Sequence, residues 1–240
     1  MGRLAGNQNH PFPAGQMWAD FVQLFFPRAC VGCSQGLLRG ERWLCSQCLR
    51  DLPLTHYHRW PDNPVYERLL GRLPIASAQA LLHFRKDSIT QRLLHALKYG
   101  GRPELGAFLG RVYGKMLADG PHEPWDAIVP VPLHRSRLRR RSYNQSECFA
   151  RGLAEELHLP IIKTALVRDQ ATETQTRKDR AHRWENMQQA FAMVNGTAVA
   201  GLRILLVDDV VTTGATLEAC GRQLLEAGCA TLSIACIAEA

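Results

Sequence analysis

The chain predicts an α/β protein: a mostly parallel sheet flanked by helices, preceded by a small module built on four cysteines. Three observations predict it. From residue 76 onward, apolar runs of strand length alternate with stretches of helical periodicity, which is the pattern of β-α-β units. One run, residues 204–207, leads through two adjacent acids and a Thr-Thr-Gly turn into an amphipathic stretch at 217–227. Upstream of these, Cys30-x2-Cys33 is followed by Cys45-x2-Cys48.

Length and composition set the bounds. The chain has 240 residues, enough for one large domain and a small module. Hydrophobic content of 46% with 21% charged residues fits a soluble globular protein. No run of apolar residues is long enough to span a bilayer, so no membrane insertion is expected. Residues 1–17 read as a disordered tail rather than a signal peptide, and the chain is expected to be cytoplasmic with reduced thiols. The formal net charge of +7 suits an anionic partner or serves solubility alone.

The elements follow in order. Residues 18–26 (WADFVQLFF) have helical spacing. The two cysteine pairs then form knuckles whose four thiolates, Cys30, Cys33, Cys45 and Cys48, complete a tetrahedral structural zinc site with no position open to substrate; four thiolates also suit an iron–sulfur cluster. The polar segment between the pairs has no room for a core, so metal would supply much of its folding energy. His56 and His58 are read as surface or packing residues. Residues 52–74, rich in Pro, Arg and His, read as an irregular connector. Strand 76–84 and helix 88–99 follow, the latter capped by Gly100-Gly101. Pro103–Ala118 is a second helix with Pro in its first turn.

Residues 126–131 read as a short parallel strand running into a basic loop with Arg135, Arg137, Arg139, Arg140 and Arg141. A loop at the end of a strand in an α/β sheet lies where ligands bind, so these arginines are candidates for an anion, either a diphosphate or a nucleic-acid backbone. A solvated basic loop is the plainer reading. Helix 142–157 is expected to be capped by Ser142 with Gln145 in the capping-box position. Strand 161–167 precedes a polar segment, 168–186, read either as a surface loop or as a lid; Arg183 is a further anion candidate. Residues 191–194 and the Asn195-Gly196 turn lead to strand 204–207 and helix 217–227, with Gly228 as C-cap, and 229–238 is a last strand. Cys148, Cys220, Cys229 and Cys236 are read as packing thiols.

The chemistry concentrates at residues 205–216, LLVDDVVTTGAT. Backbone N–H groups at a helix N-terminus favour phosphate. Gly214 permits close approach, and the hydroxyls of Thr212, Thr213 and Thr216 add donors beside Ala215. Asp208 and Asp209 would repel a bare phosphate but accept hydrogen bonds from sugar hydroxyls, so a ribose 5-phosphate reconciles the two.

This stretch resembles the phosphoribosyl-diphosphate (PRPP) motif of type I phosphoribosyltransferases. With the four cysteines, Leu97-Lys98-Tyr99, Val129-Pro130-Val131-Pro132-Leu133, Tyr143-Asn144-Gln145, Thr172-x2-Gln175, Arg183-x2-Asn186 and Ala190-Phe191, the chain resembles the ComF family, whose members include GntX and amidophosphoribosyltransferase-like proteins. It departs from that family at Ser142-Tyr143, where Gly-Phe is usual, and at Lys178, where Leu is usual. The resemblance implies a type I phosphoribosyltransferase fold over residues 76–240, a zinc ribbon over 18–60 and a connector over 61–75. It implies a Mg²⁺-dependent phosphoribosyltransferase releasing diphosphate, with Asp208 and Asp209 catalytic and residues 208, 209 and 212–216 holding PRPP. The alternative is a PRPP-sensing accessory protein that binds single-stranded DNA and works with competence or DNA-uptake proteins. Thr212 stands where 6-oxopurine enzymes of this kind tend to carry an acid that acts on the base's proton, which disfavours oxopurines as acceptors.

Overall fold

A computed structural model describes residues 28–120, 124–168 and 190–240. The chain divides into two compact units, the first ending at Asp51 and the second running from Leu52 to Ala240. Residues 18–26 and the segment 169–189, with Arg183, lie outside the described residues. No helix among the described residues is long and apolar enough to cross a membrane.

The described part of the first unit is two knuckles and one short helix, α1 (Ser46–Arg50). In the first knuckle Ser34 takes φ 65° and donates its N–H to Cys30 O at 2.8 Å. In the second, Cys45 caps α1 and its sulfur accepts from Cys48 N at 3.4 Å. Glu41 accepts from Leu38 N at 2.8 Å, Ser46 N at 2.6 Å and Ser46 Oγ at 2.7 Å, so one carboxylate satisfies three donors.

The second unit begins with a departure from the expected connector. A 3-10 turn (Tyr57–Arg59) is followed by helix α2 (Pro64–Leu69), with Asn63 accepting from Val65 N and Tyr66 N as N-cap and Pro at the first position. Val65 and Leu69 are buried. Asn63 also donates to Ala78 O at 2.8 Å, tying the start of α2 to strand β1 (Ser77–His83). Then come α3 (Ile89–Tyr99), α4 (Pro103–Ala118) and β2 (Ala127–Pro130).

The arginine run corrects a second expectation: it is helix α5 (Arg135–Arg141), not a loop. Ser142 ends that helix in the left-handed conformation, so it is not the cap of the next one; Asn144 caps α6 (Gln145–Leu157) by accepting from Ser146 N. The strand expected at 161–167 is reduced to a bridge from Ile161 to Ile128, and β3 (Leu166–Arg168) turns away to pair antiparallel with β4 (Phe191–Met193). Strand β5 (Arg203–Val211), helix α7 (Ala215–Glu226) and strand β6 (Thr231–Glu239) complete the unit.

The main sheet is four-stranded and wholly parallel, in the order β1-β6-β5-β2. Residues 204–207 are buried throughout, as expected of a strand covered on both faces. α2 and α7 contribute Val65, Leu69, Leu217, Cys220 and Leu224 to the core with Ile204, Leu206, Leu232 and Ile234. Cys148, Cys229 and Cys236 are buried as well, so the four cysteines outside the first unit lie in the interior.

Among the described residues, helices α4 and α6 are the most closely packed helix pair. Gly110 and Gly152 let their backbones meet: a Cβ on Gly152 would run into Ala107 O, and one on Gly110 into Phe149 O. Helix propensity alone would make Gly152→Ala stabilising by about 1 kcal/mol. Packing predicts the opposite sign, a net loss of about 1–3 kcal/mol. The midpoint of urea unfolding decides between them, and an unchanged or raised midpoint would contradict the packing described.

Candidate functional site

The site forms at the carboxyl end of β5. The sequence suggested a strand that stops at the acids, but pairing continues past them to Val211↔Glu239. Asp208 and Asp209 therefore project from consecutive positions of a central strand, and alternation sends them to opposite faces. Asp208 Oδ1 accepts from Ser146 Oγ of α6 at 2.9 Å and from Asp209 N at 2.8 Å. Asp209 Oδ2 pairs with Lys98 Nζ, from the last turn of α3, at 2.9 Å.

These surroundings split the two acids. Burial pushes the Asp208 carboxyl up, and the Asp209 charge adds to it; the Asp209 N–H, the Ser146 hydroxyl and Lys98 oppose the rise, and the result is about 7. Lys98 neutralises one acid, and the other holds a proton near neutrality.

Beyond Val211 the chain turns through Thr212 and Thr213, both exposed, to Gly214, which caps α7 at φ 78°. A residue with a Cβ there would be strained, and its Cβ would meet Leu69 Cδ2 of α2 at 2.7 Å. Thr213 Oγ1 accepts from Ala215 N at a long 3.4 Å. The N–H groups of Thr212, Thr213 and Gly214 have no acceptor among the described residues. The carbonyls of this loop are held from behind. Arg68 Nη1 donates to Thr212 O at 2.6 Å and Val211 O at 3.4 Å, and Arg72 Nη1 donates to Thr213 O at 2.7 Å.

The region around α5 supplies cations. Arg135, Arg137, Arg139 and Arg140 are exposed on α5. Arg141 is drawn inward: its guanidinium lies 5.3 Å from the centre of the Tyr99 ring and donates to Gln145 Oε1 at 2.8 Å. Tyr143 OH donates to Leu97 O at 2.6 Å, and Asn144 Nδ2 to Val131 O at 2.9 Å, joining α6 to the ends of α3 and β2. Arg168, at the end of β3, lies over Phe191 at 5.1 Å and has its Nε buried without a partner among the described residues. Burial and the Arg137 charge weaken its hold on its proton, while Asp208 opposes them.

The structure thus brings Asp208, Asp209 and the 212–216 loop together. Arg68, Arg72, Ser146 and Arg168 carry no site assignment from the sequence, and Lys98 enters there only through the family resemblance. For Arg68 and Arg72 a signal existed: Asn63-Pro64 is a helix-start signature, and it places both arginines in or just after a helix rather than in a connector.

In the first unit, the ligand atoms of Cys30, Cys33, Cys45 and Cys48 lie within 4.8 Å of one another, and the Cys33 and Cys45 sulfurs are 3.8 Å apart. A tetrahedron with zinc–sulfur bonds of about 2.3 Å has edges of about 3.8 Å, so the donors fit the metal. Burial disfavours the Cys30 thiolate, but backbone N–H groups, among them those of Gly32 and Cys45, each 3.3 Å from its sulfur, bring it down to about 7.

Residues 144–240 match the phosphoribosyl transferase domain model. The DNA utilization protein YhgH of Escherichia coli O157:H7 is 32% identical over 218 residues, covering 87% of this chain and 88% of that one. Competence protein ComFC of Bacillus subtilis is 33% identical over 206 residues, covering 84% and 79%. Competence protein F of Haemophilus influenzae is 26% identical over 227 residues, covering 90% and 99%. Among solved structures, the glutamine PRPP amidotransferase from B. subtilis aligns at 22% identity and a TM-score of 0.37 over 57% of this chain and 26% of that one, a likeness too slight to argue from.

Asp208 gives the site a pH signature. Its carboxyl sits at about 7 when folded, against an ordinary 3.8. The folded chain therefore retains a proton that the unfolded chain releases. The resulting stabilisation is full below about pH 4, declines as pH rises and is lost above about pH 7. Asp208→Asn cannot titrate, so its unfolding midpoint should fall less steeply than wild type between about pH 4.5 and 7. Parallel profiles would show that Asp208 is not raised.

Proposed function

Because this chain belongs to the ComF family of DNA utilization and competence proteins and carries a phosphoribosyl transferase domain, we propose that it binds PRPP with Mg²⁺ and transfers its phosphoribosyl group. One observation carries the reading: two adjacent carboxylates, Asp209 paired with Lys98 and Asp208 raised by burial, lie beside a loop whose three successive N–H groups have no acceptor among the described residues, at the start of a helix. Phosphate and sugar hydroxyls on one molecule match that pair of features.

In this reading the N–H groups and hydroxyls of residues 212–216 hold the 5-phosphate. Asp208 and Asp209 accept from the ribose hydroxyls and stabilise positive charge developing at the anomeric carbon. The acceptor's nucleophile attacks that carbon, the bond to diphosphate breaks, and its electrons leave with the diphosphate. Arg168, which interacts electrostatically with both Asp208 and Arg137, and Arg137 are the candidates to receive it, with Arg135, Arg139, Arg140 and Arg141 on the same helix as Arg137. Mg²⁺ arriving with PRPP supplies further neutralisation of the phosphate oxygens. Thr212 offers no carboxylate to take a proton from an oxopurine, which disfavours oxopurines and leaves open an acceptor whose nucleophile needs no such base. The four cysteines hold structural zinc, since all four positions of a tetrahedron are filled by sulfur.

A second reading rests on the four exposed arginines of α5, which form a cationic ridge suited to a nucleic-acid backbone. In it the site senses PRPP without turnover and the ridge binds single-stranded DNA. Diphosphate release, assayed over a panel of bases and amines, separates the two.

Calorimetry of the full chain with PRPP and Mg²⁺ tests the shared core of both readings. Asp208→Asn/Asp209→Asn should weaken binding by about tenfold or more, the scale of lost charged hydrogen bonds. Absence of binding by wild type would sink the assignment. Metal analysis of reduced, freshly purified protein should find zinc at about one ion per chain, and any Cys→Ser change at positions 30, 33, 45 or 48 should lower that content. A metal-free native protein would refute the zinc site.

A further inference from the structure

We propose that Arg68 and Arg72 are positioning residues that orient the 212–214 peptide planes for phosphate, an inference that rests on the reading of that loop as the phosphate site. A trans peptide is planar, and its C=O and N–H point in opposite directions. Fixing the carbonyl of one residue therefore fixes the N–H of the next. Arg68 holds the carbonyls of Val211 and Thr212, and Arg72 holds that of Thr213. The N–H groups so aimed are those of Thr212, Thr213 and Gly214, the three that lack an acceptor among the described residues.

The arginines are themselves anchored, so the hold is geometric rather than a loose surface contact. Arg72 Nε donates to Glu218 Oε2 at 2.9 Å, and Glu218, buried on the first turn of α7, also accepts from Arg222 Nη2 at 2.8 Å. Burial alone would raise the Glu218 carboxyl; Arg222 and Arg72 outweigh it and keep it below the usual range. Arg68 pairs with Glu239 at 3.4 Å and donates to Ala240 O at 3.0 Å, tying the loop to the end of β6. Arg72 Nη1 also donates to Arg68 O at 3.2 Å, which links the two clamps. Between them, Leu69 fills the space beside Gly214.

The guanidinium fork is what the arrangement uses. Each arginine meets a carboxylate and a loop carbonyl at once, and a lysine has the charge without the fork. The clamps also place positive charge behind the loop, on the carbonyl side of these peptide planes, where it reinforces rather than competes with their N–H groups.

The test is calorimetry on the full chain and on Arg68→Lys and Arg72→Lys, using two probes: ribose 5-phosphate, which reports the loop, and magnesium diphosphate, which lacks the sugar phosphate. The expected result is a loss of about tenfold or more for ribose 5-phosphate with diphosphate affinity unchanged. A merely structural role would weaken both probes together, and that outcome overturns the proposal. So does a variant that binds ribose 5-phosphate as wild type does. A wild type that takes up no ribose 5-phosphate overturns the phosphate reading and this inference with it. Should a lysine variant fail to fold, Glu218→Gln serves instead: it loosens Arg72 through its anchor, and the same selective loss is expected, with undiminished ribose 5-phosphate binding counting against the proposal.

Discussion

A parallel strand inside a sheet leaves little room for charge, and β5 carries two carboxylates in its paired region. Each must find a partner where it stands, and much of the second unit is arranged around that requirement. Asp209 draws Lys98 from the end of α3. Asp208 draws the Ser146 hydroxyl from the first turn of α6 and accepts its neighbour's N–H. Ser146 is in place because Asn144 caps α6, and Asn144 is in place because it also grips Val131 O beyond β2. Tyr143 then reaches Leu97 O, one residue before Lys98. The acids, the cap and the tyrosine form one connected set, so positions that look independent along the chain are coupled in space.

Much of this architecture was legible along the chain, and the reasons differ by element. Pro103–Ala118 and the helix after Gly214 announce themselves by apolar spacing, and residues 204–207 by an unbroken apolar run. The four cysteines are legible because metal-ligand spacing survives without any knowledge of the fold. Helix α5 was not, because its RSRLRRR offers a single apolar residue and therefore no period. The end of β5 was misplaced for a related reason: acids end an apolar run but need not end a ladder, whose bonds come from the backbone. Ser142 and Asn144 are both good caps, and the choice depends on the left-handed turn that closes α5. Contacts such as Arg72 to Thr213 join residues far apart in the chain, and periodicity carries no information about them.

The stretch 52–74 shows how composition can mislead. Its prolines, arginines and histidines suggest a spacer, yet Val65, Leu69 and Leu73 are core residues and Asn63 is a buried polar group with every side-chain role filled. Pro64 is there because the first turn of a helix has no use for its missing N–H. Arg68 and Arg72 contact backbone oxygens rather than solvent alone, so they do not add to the basic surface in the way a count of charges implies.

That distinction bears on how the net charge of +7 should be interpreted. Arg68, Arg72 and Arg222 are committed to Glu239, Glu218 and loop carbonyls, and Lys98 to Asp209. Arg203 forks onto Asp126 at 2.6 and 2.9 Å. The exposed arginines of α5 have no such engagement with acids among the described residues. Among the described residues, four exposed arginines are thus grouped on the element that follows β2, at the end of the sheet where the acids and the 212–216 loop lie. In the proposed reading a phosphoribosyl donor needs cations for its diphosphate there and hydrogen-bond acceptors for its ribose a few residues away, and these would come from different strands. For the acceptor, Thr212 removes one means of activating a base. On that reading the described site is built around the donor.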